Sequence, residues 1–373
     1  MTLVRNMVSC IQMALLYISY HASKKTGGLV IIGVTEIANL LYNMKQLFDN
    51  ESIVVCKVKN KFYEKNVYDM DLSKNNRIVN LVMAPIIFGK LAKNSRVFIY
   101  LWSDSFLLDR EHDFAFLKKH RIPVICIFSG SEIRSRKLLL EYCKKINFST
   151  YVEYDKPDLF LSDRYDCFNR TLAEQADKYA SIIFSHKIDQ VSYLKSEQYH
   201  FPVLINNDLF SFDKSKFEQV PIRILHSPSL PVLKGTPLVR SVIKMLKNEG
   251  YLFQYIELIN VPNEDVVNEL KQSHIVLSQF YTFVPGIFGH EAMATGNAVL
   301  MSAKPDCYPY PFNNAWLETE DWQLYYNLKF LLDHPEKIIE YAESGYEYML
   351  QNFSTDAIRE YLSGVFEKNG LSF

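Results

Sequence analysis

Short runs of apolar, β-branched residues alternate along this chain with stretches whose apolar positions recur every three to four residues. The first kind fits buried strands and the second amphipathic helices; their alternation is the pattern of parallel α/β layers. In the first half this predicts strands at Leu29–Ile32, Ile53–Val58, Val97–Trp102, Val124–Phe128, Ser181–Phe184 and Val203–Ile205, with helices between them, as at Glu36–Phe48 and Asp113–His120. A polar stretch, Asn206–Gln219 (NNDLFSFDKSKFEQ), reads as a hinge, and then the strand count restarts with Ile222–Leu225, Phe253–Leu258, Ile275–Ser278 and Ala298–Met301. Helices Trp322–Leu332, Pro335–Gln351 and Thr355–Glu367 close the chain. The predicted class is α/β: two Rossmann-like doubly wound domains, residues 29–205 and 220–351, facing each other across a cleft. An apolar helix is expected over residues 1–28, the hinge over 206–219, and a last helix over 352–373 that crosses back to the first domain.

Two turns in the second half carry candidate chemistry. After the strand Ile222–Leu225, Thr236 is a natural N-cap, Pro237 suits the first helical position and Gly250 ends the helix, so a helix start with free N–H groups points out of the carboxyl edge of the sheet. Lys234 and Gly235 sit just before it. After the strand Ile275–Ser278, the stretch VPGIFGHEAMATGNAVL opens a short helix at Gly289–Thr295 with Glu291 in its first turn. Gly286 and Gly289 allow a ligand close to backbone N–H groups, which suits a diphosphate. Two readings stand for Glu291, a favourable charge on the helix dipole or an acceptor for ribose hydroxyls. Two also stand for Lys234: a solvated lysine, or a phosphate contact.

Composition narrows the class. The chain has 373 residues, 48% hydrophobic and 22% charged, ordinary for a globular protein of two domains. Lys and Arg number 41 against 42 Asp and Glu, so no charge excess exists to hold a polyanion and nucleic acid is not expected as a partner. Cys10, Cys56, Cys126, Cys143, Cys167 and Cys307 lie scattered without CxxC pairs, which points to a reducing, cytoplasmic compartment rather than to zinc or disulfides. The apolar segment MVSCIQMALLYISY, residues 7–20, falls short of a bilayer span; it reads as a helix packed on the first domain or as a contact with a membrane surface at its inner face.

RILHSPSLPVLKGTPLVRSVIKML, followed by HIVLSQFYTFVPGIFGHEAMATGNAVL, resembles the donor domain of GT-B glycosyltransferases of the family-four-like group, glycosyl transferases group 1. DFAFLKKHRIPVICIFSGSEIR and FPVLINNDLFSF are similar to that family's first-domain loop and interdomain segment, so the resemblance covers about residues 29 to 370. It implies a nucleotide-diphosphate-sugar donor as co-substrate, with Lys234, Gly235 and Thr236 at the diphosphate, Glu291 at the ribose, and the amides of Gly286, Ile287, Phe288, Gly289 and His290 as a phosphate cradle. It further implies a retaining hexosyltransferase acting on a glycan or lipid-linked glycan in surface polysaccharide synthesis, by domain closure over the donor. No cofactor and no obligatory metal are expected; DMD at 69–71 matches a metal motif only superficially.

The chain departs from the family pattern at Phe283, where an acid that contacts the donor sugar is usual, at Ser229, where many members have Arg, and at Ser129, where His is usual. For catalysis the candidates are His226 at a strand end, Glu132 and Arg134 on the first-domain loop, and more weakly His290. The alternatives are a hydrogen-bonded strand-end histidine for His226 and an internal salt bridge for the loop pair. The aromatic stretch 307–322 either stacks on a base or sugar or packs an irregular loop. Two further functions remain open, a GT-B-fold nucleotide-sugar epimerase and a catalytically degenerate partner subunit.

Overall fold

The structure is a computed structural model that describes residues 2–48, 51–63, 67–150, 152, 162–186, 189–305, 310 and 314–373. The chain divides into two compact units, one of Met1–Ser135, Cys167–Phe201 and Tyr361–Phe373, the other of Arg136–Asp166 and Pro202–Glu360. The second unit therefore takes residues 136–166 from the expected first domain, and the division falls at 201/202 rather than inside the 206–219 stretch.

In the first unit the strands are β1 (Leu29–Thr35), β2 (Ser52–Val58), β3 (Met70–Asp71), β4 (Ser95–Leu101), β5 (Val124–Ile127) and β6 (Ile182–Phe184). They form one parallel sheet in the order β3-β2-β1-β4-β5-β6, with Ile32 of β1 opposite Val54 and Ile99. Burial on both faces is why these strands read as continuous apolar runs; in β1 every residue after Leu29 is buried. Helices α1 (Thr2–Ala22), α2 (Leu40–Asn43), α3 (Lys45–Phe48), α4 (Arg77–Asn94) and α5 (Arg110–Lys119) belong to this unit, while α6 (Arg136–Lys145) belongs to the second. α7 (Asp163–Tyr179) lies mostly in the first unit.

Two expectations in this half are corrected. The single helix at Glu36–Phe48 is instead the two one-turn helices α2 and α3. Ala38 and Asn39 take left-handed φ of 50° and 66°, and the Glu36 carboxylate accepts the N–H groups of Leu41 and Tyr42, so the chain cannot run straight into a helix. Val203–Ile205 is buried but forms no strand; it directly follows Pro202, which has no N–H to give a ladder.

The second unit holds β7 (Ile222–His226), β8 (Phe253–Glu257), β9 (Ile275–Leu277), β10 (Ala298–Met301) and β11 (Leu317–Glu318), parallel in the order β11-β10-β9-β7-β8. Its further helices are α8 (Pro231–Lys234), α9 (Thr236–Asn248), α10 (Asn263–Leu270), α11 (Ile287–Ala294), α12 (Leu324–Asp333), α13 (Pro335–Phe353) and α14 (Thr355–Lys368), the last ending in the first unit. β7 has β8 on one side and β9 on the other, so strand order reverses between β7 and β9. The carboxyl ends of those two strands are the switch point at which open α/β sheets take ligands.

The expected hinge is a packed strap of the second unit. Its turns at Asn207–Leu209 and Lys214–Glu218 are capped by Asn206 and Asp213, and the buried Lys216 Nζ donates to Thr295 O (3.0 Å) and Asn297 Oδ1 (3.3 Å). Phe212 of the strap lies against Gly296, whose φ is 66°; a Cβ there would come within 2.2 Å of the ring. α1 is packed through Gln12, Leu16 and Ser19, and among the described residues no helix is long and apolar enough to cross a membrane.

Candidate functional site

β7 and β9 are joined at their carboxyl ends by a histidine. His226 is fully buried, and its Nδ1 donates to Leu277 O (2.7 Å), because a carbonyl can only accept. Burial lowers its pKa to about 4, so the ring is neutral and Nε2 accepts from the Thr236 hydroxyl (2.9 Å). Both ring nitrogens are thus used inside the protein. His226 is corrected from a catalytic candidate to a positioning residue that ties the start of α9 to the switch point.

Thr236 changes role with it. The N-cap of α9 is Gly235 at φ 82°, Thr236 is the first helical residue, and its hydroxyl is committed to His226. What this end can offer a ligand is backbone N–H, since a first helical turn has no intrahelical acceptor for those groups. Gly235 is required here twice: by its φ, and because a Cβ would lie 3.3 Å from the rings of Phe280 and Tyr281. Gly250, with φ 96°, ends the helix as its sequence suggests.

Lys234 and the start of α11 meet on one residue that the sequence reading passed over. Gln279, buried just past β9, accepts the Lys234 ammonium on Oε1 and donates Nε2 to Val284 O (2.7 Å). The same Oε1 lies 3.0 Å from where a Cβ on Gly286 would be, so a side chain at Gly286 would disturb it. Gly286 is the N-cap of α11, leaving the N–H groups of Ile287 and Phe288 in the first turn; those of Gly289 and His290 turn back to Gly286 O (2.9 and 3.2 Å). His290 is buried, with Nδ1 3.0 Å from Gly286 O and its ring edge-on to Phe353. Two anion-binding features expected around a diphosphate, the Lys234 ammonium and the start of α11, therefore meet on Gln279, and Gly235 at the start of α9 lies against the adjoining Phe280 and Tyr281.

α11 begins at Ile287, two residues earlier than expected, so Glu291 lies in its second turn and the helix start does not stabilise its charge. Glu291 is 6% exposed, and burial raises its pKa to about 7, partly offset by Asn263 Nδ2 at 3.5 Å. Asn263, the first residue of α10, is the second site residue missed; its only sequence signal was its place at a helix start after β8. Phe283 is buried and stacks on Phe148 (centroids 4.2 Å apart) with Tyr142 edge-on, filling its position with aromatic packing.

Glu132 and Arg134 belong to the first unit, at the carboxyl end of β5. Arg134 is held in a salt bridge with the Asp189 carboxylate and donates Nε to Asp189 O (2.8 Å), the internal pairing that stood as its alternative. Glu132 differs. Its Oε1 accepts from Ser129 N–H (2.7 Å), while Oε2 is buried with no hydrogen-bond partner among the described residues. Burial raises its pKa to about 7, the Ser129 N–H acting the other way. Beside it Trp102 holds a left-handed φ of 68°, strain in a bulky residue that sequence patterning does not reveal.

The remaining candidates resolve locally. Asp69 accepts Val54 N–H (2.9 Å) and the Lys45 ammonium, and Asp71 caps Ser73 N–H (3.1 Å), so both acids of DMD are used in a connector. Among the described residues no three His, Cys, Asp or Glu gather as a metal site. In the aromatic stretch Trp316 is core, donating Nε1 to Ala303 O (2.9 Å), and Trp322 is exposed; residues 307–309 and 311–313, including Cys307, lie outside the described residues.

No protein-family profile matches the sequence, and no curated protein matches it. Solved structures do match it in fold. Sucrose-phosphate synthase (tll1590) from Thermosynechococcus elongatus superposes with a TM-score of 0.59 at 10% identity, over 92% of this chain and 99% of that one. An α-glucosyltransferase in complex with UDP and a 13-mer DNA gives 0.55 at 11%, over 91% and 99%. Phytolacca americana UGT2 with UDP-2fluoro-glucose and pterostilbene gives 0.50 at 11%, over 92% and 100%. With two parallel Rossmann-like sheets and these structural neighbours, the chain has the two-domain GT-B fold of glycosyltransferases.

Proposed function

We propose that this protein is a glycosyltransferase that takes a sugar from a nucleotide-diphosphate-sugar donor and transfers it to a glycan or lipid-linked glycan. The observation that carries this reading is that Lys234 and the Gly286 start of α11 meet on Gln279, just past β9, while the Gly235 start of α9 lies against the next two residues, Phe280 and Tyr281, at the β7/β9 switch point. An ammonium and the N–H groups of helix first turns offset the charge of a leaving diphosphate by preorganised donors. Glu291 and Asn263, one group further away, suit ribose hydroxyls. UDP in two of the structural neighbours supports a nucleotide donor. The resemblance of the Lys-Gly and Glu-Ala-Met-Ala segments to the family-four-like group favours retention at the anomeric carbon and a role in surface polysaccharide synthesis. DNA accompanies the α-glucosyltransferase neighbour, but the balance of 41 basic against 42 acidic residues favours a glycan over a nucleic-acid acceptor here.

The test is a thermal-shift and calorimetric screen against nucleoside diphosphates and their sugars, followed by Lys234→Ala. A charged hydrogen bond contributes about 1.5–3 kcal/mol, so the variant is expected to bind its best donor about 10- to 100-fold more weakly with its unfolding temperature unchanged. Equal affinity in Lys234→Ala removes the proposal. A second reading, a donor-binding partner subunit without turnover, is favoured by Phe283, which is stacked into Phe148 where the resemblance leads one to expect a sugar-contacting acid. Donor binding with neither transfer nor donor hydrolysis, across an acceptor panel, would select it. The epimerase reading is disfavoured by His226, whose nitrogens are both committed.

A further inference from the structure

The first unit carries a feature that donor chemistry does not use. α1 and α4 pack side by side and run parallel: Gln12 Nε2 donates to Leu81 O (3.1 Å), and seven residues on, Ser19 lies against Gly89. The approach there is so close that a Cβ on Gly89 would come 2.6 Å from Leu16 O. The inner face of α1, at Gln12, Leu16 and Ser19, is buried, yet Leu3, Val4, Met7, Ile11 and Ile18 stand exposed on its opposite face. α4 repeats this in its first turns with Ile78, Val79, Val82 and Met83 exposed, Leu3 and Ile78 by 85% and 76%. Because the helices are parallel, Leu3–Ile11 and Ile78–Met83 emerge at the same end of the pair.

The charges on this pair are of one sign. Residues 1–35 and 72–103 contain no Asp or Glu, while they carry Arg5, Lys24, Lys25, Lys74, Arg77, Lys90, Lys93 and Arg96, in a chain whose acids and bases otherwise balance. Arg5 and Arg77 are exposed beside the apolar turns, and Lys74 is close by, 3.6 Å from Asp71. Exposed large aliphatics on helices whose own charges are all basic are the signature of an amphipathic surface seated at an anionic lipid interface.

We propose that the N-terminal turns of α1 and α4 together form a docking surface for an anionic bilayer, with Leu3, Met7, Ile11, Ile78 and Val82 entering the headgroup boundary and Arg5 and Arg77 contacting lipid phosphates. The surface is a two-helix tip rather than the 7–20 segment alone, and it is independent of the donor-site reading.

The test is co-flotation of the full chain with phosphatidylcholine vesicles with and without phosphatidylglycerol. Binding is expected only with the anionic lipid, to weaken with salt, to be lost in Met7→Glu/Val82→Glu, and to fall about fivefold for each of Arg5→Gln and Arg77→Gln. Both residues of the double variant are solvent-exposed, so its unfolding temperature and nucleotide affinity should match the parent's. No flotation of the parent chain, or flotation unaffected by Met7→Glu/Val82→Glu, overturns the proposal. So does a dimer of the parent chain in light scattering that the double variant abolishes, since a second copy would then cover the face.

Discussion

At the scale of single residues, burial decides which candidates are chemically available. His226 and Arg134 spend their polar atoms inside the protein, whereas the carboxyls of Glu132 and Glu291 stay underpaired, each raised to about 7 by burial. For Glu291 this gives a pH test of its assignment. The pyrophosphate of a nucleotide sugar is a diester that does not titrate near neutrality, so any change in donor affinity there belongs to the protein. If Glu291 accepts ribose hydroxyls as a carboxylate, affinity should rise by up to about tenfold from about pH 6 to about pH 8 as its proton leaves. Glu291→Gln should bind more weakly at the higher pH and show no slope, measured by calorimetry across that range. A slope that survives in Glu291→Gln assigns the titration elsewhere.

At the scale of elements, the sequence carried what is repetitive and local. Continuous apolar runs announced the longer buried parallel strands to within three residues, though not the two-residue strands β3 and β11, and Pro237 and Gly250 marked the limits of α9. What it did not carry depends on distant partners. The late start of α2 follows from Glu36 accepting the N–H groups of Leu41 and Tyr42, and the loss of a strand at 203–205 from a missing ladder partner. Thr236 looked like an N-cap because its cap position is chemically typical, but His226, ten residues away in sequence, claims the hydroxyl. Gln279 has no motif of its own; only the fold brings Lys234 and Gly286 onto it. The start of α9 offers a paired test. Gly235→Ala forces a left-handed alanine against Phe280 and Tyr281, and Gly250→Ala forces one with nothing within 4 Å. Each should cost roughly 1–2 kcal/mol of stability in chemical denaturation. Only Gly235→Ala should also weaken donor binding, because only it displaces N–H groups at the switch point. Equal loss of affinity in both variants would mean that the start of α9 is not a donor contact.

At the scale of the whole molecule, these buried ionisable groups set opposing slopes on stability. Asp113, Glu132 and Glu291 are raised by burial, to about 6, 7 and 7, so the folded state holds protons that the unfolded chain has released, and stability falls as pH rises from about 4 to about 7. His186 and His226, both lowered to about 4 by burial, do the reverse: the unfolded chain binds protons the fold refuses, and stability rises from about pH 4 to about 6.5. The two histidines offset about two-thirds of what the three acids take away, so a net fall of about 3 kcal/mol is left below neutrality. Above it Lys216 in the strap stands alone among these groups, lowered to about 7 by burial, so the folded state has lost its proton while the unfolded chain keeps one up to about pH 10.5. Stability should therefore rise from about pH 7 toward about pH 9, by up to about 3 kcal/mol if Lys216 is its source. Lys216→Met keeps the length of the side chain without the ammonium and should flatten that limb in urea melts. The limb persisting in Lys216→Met would show that the strap is not held by a neutral lysine.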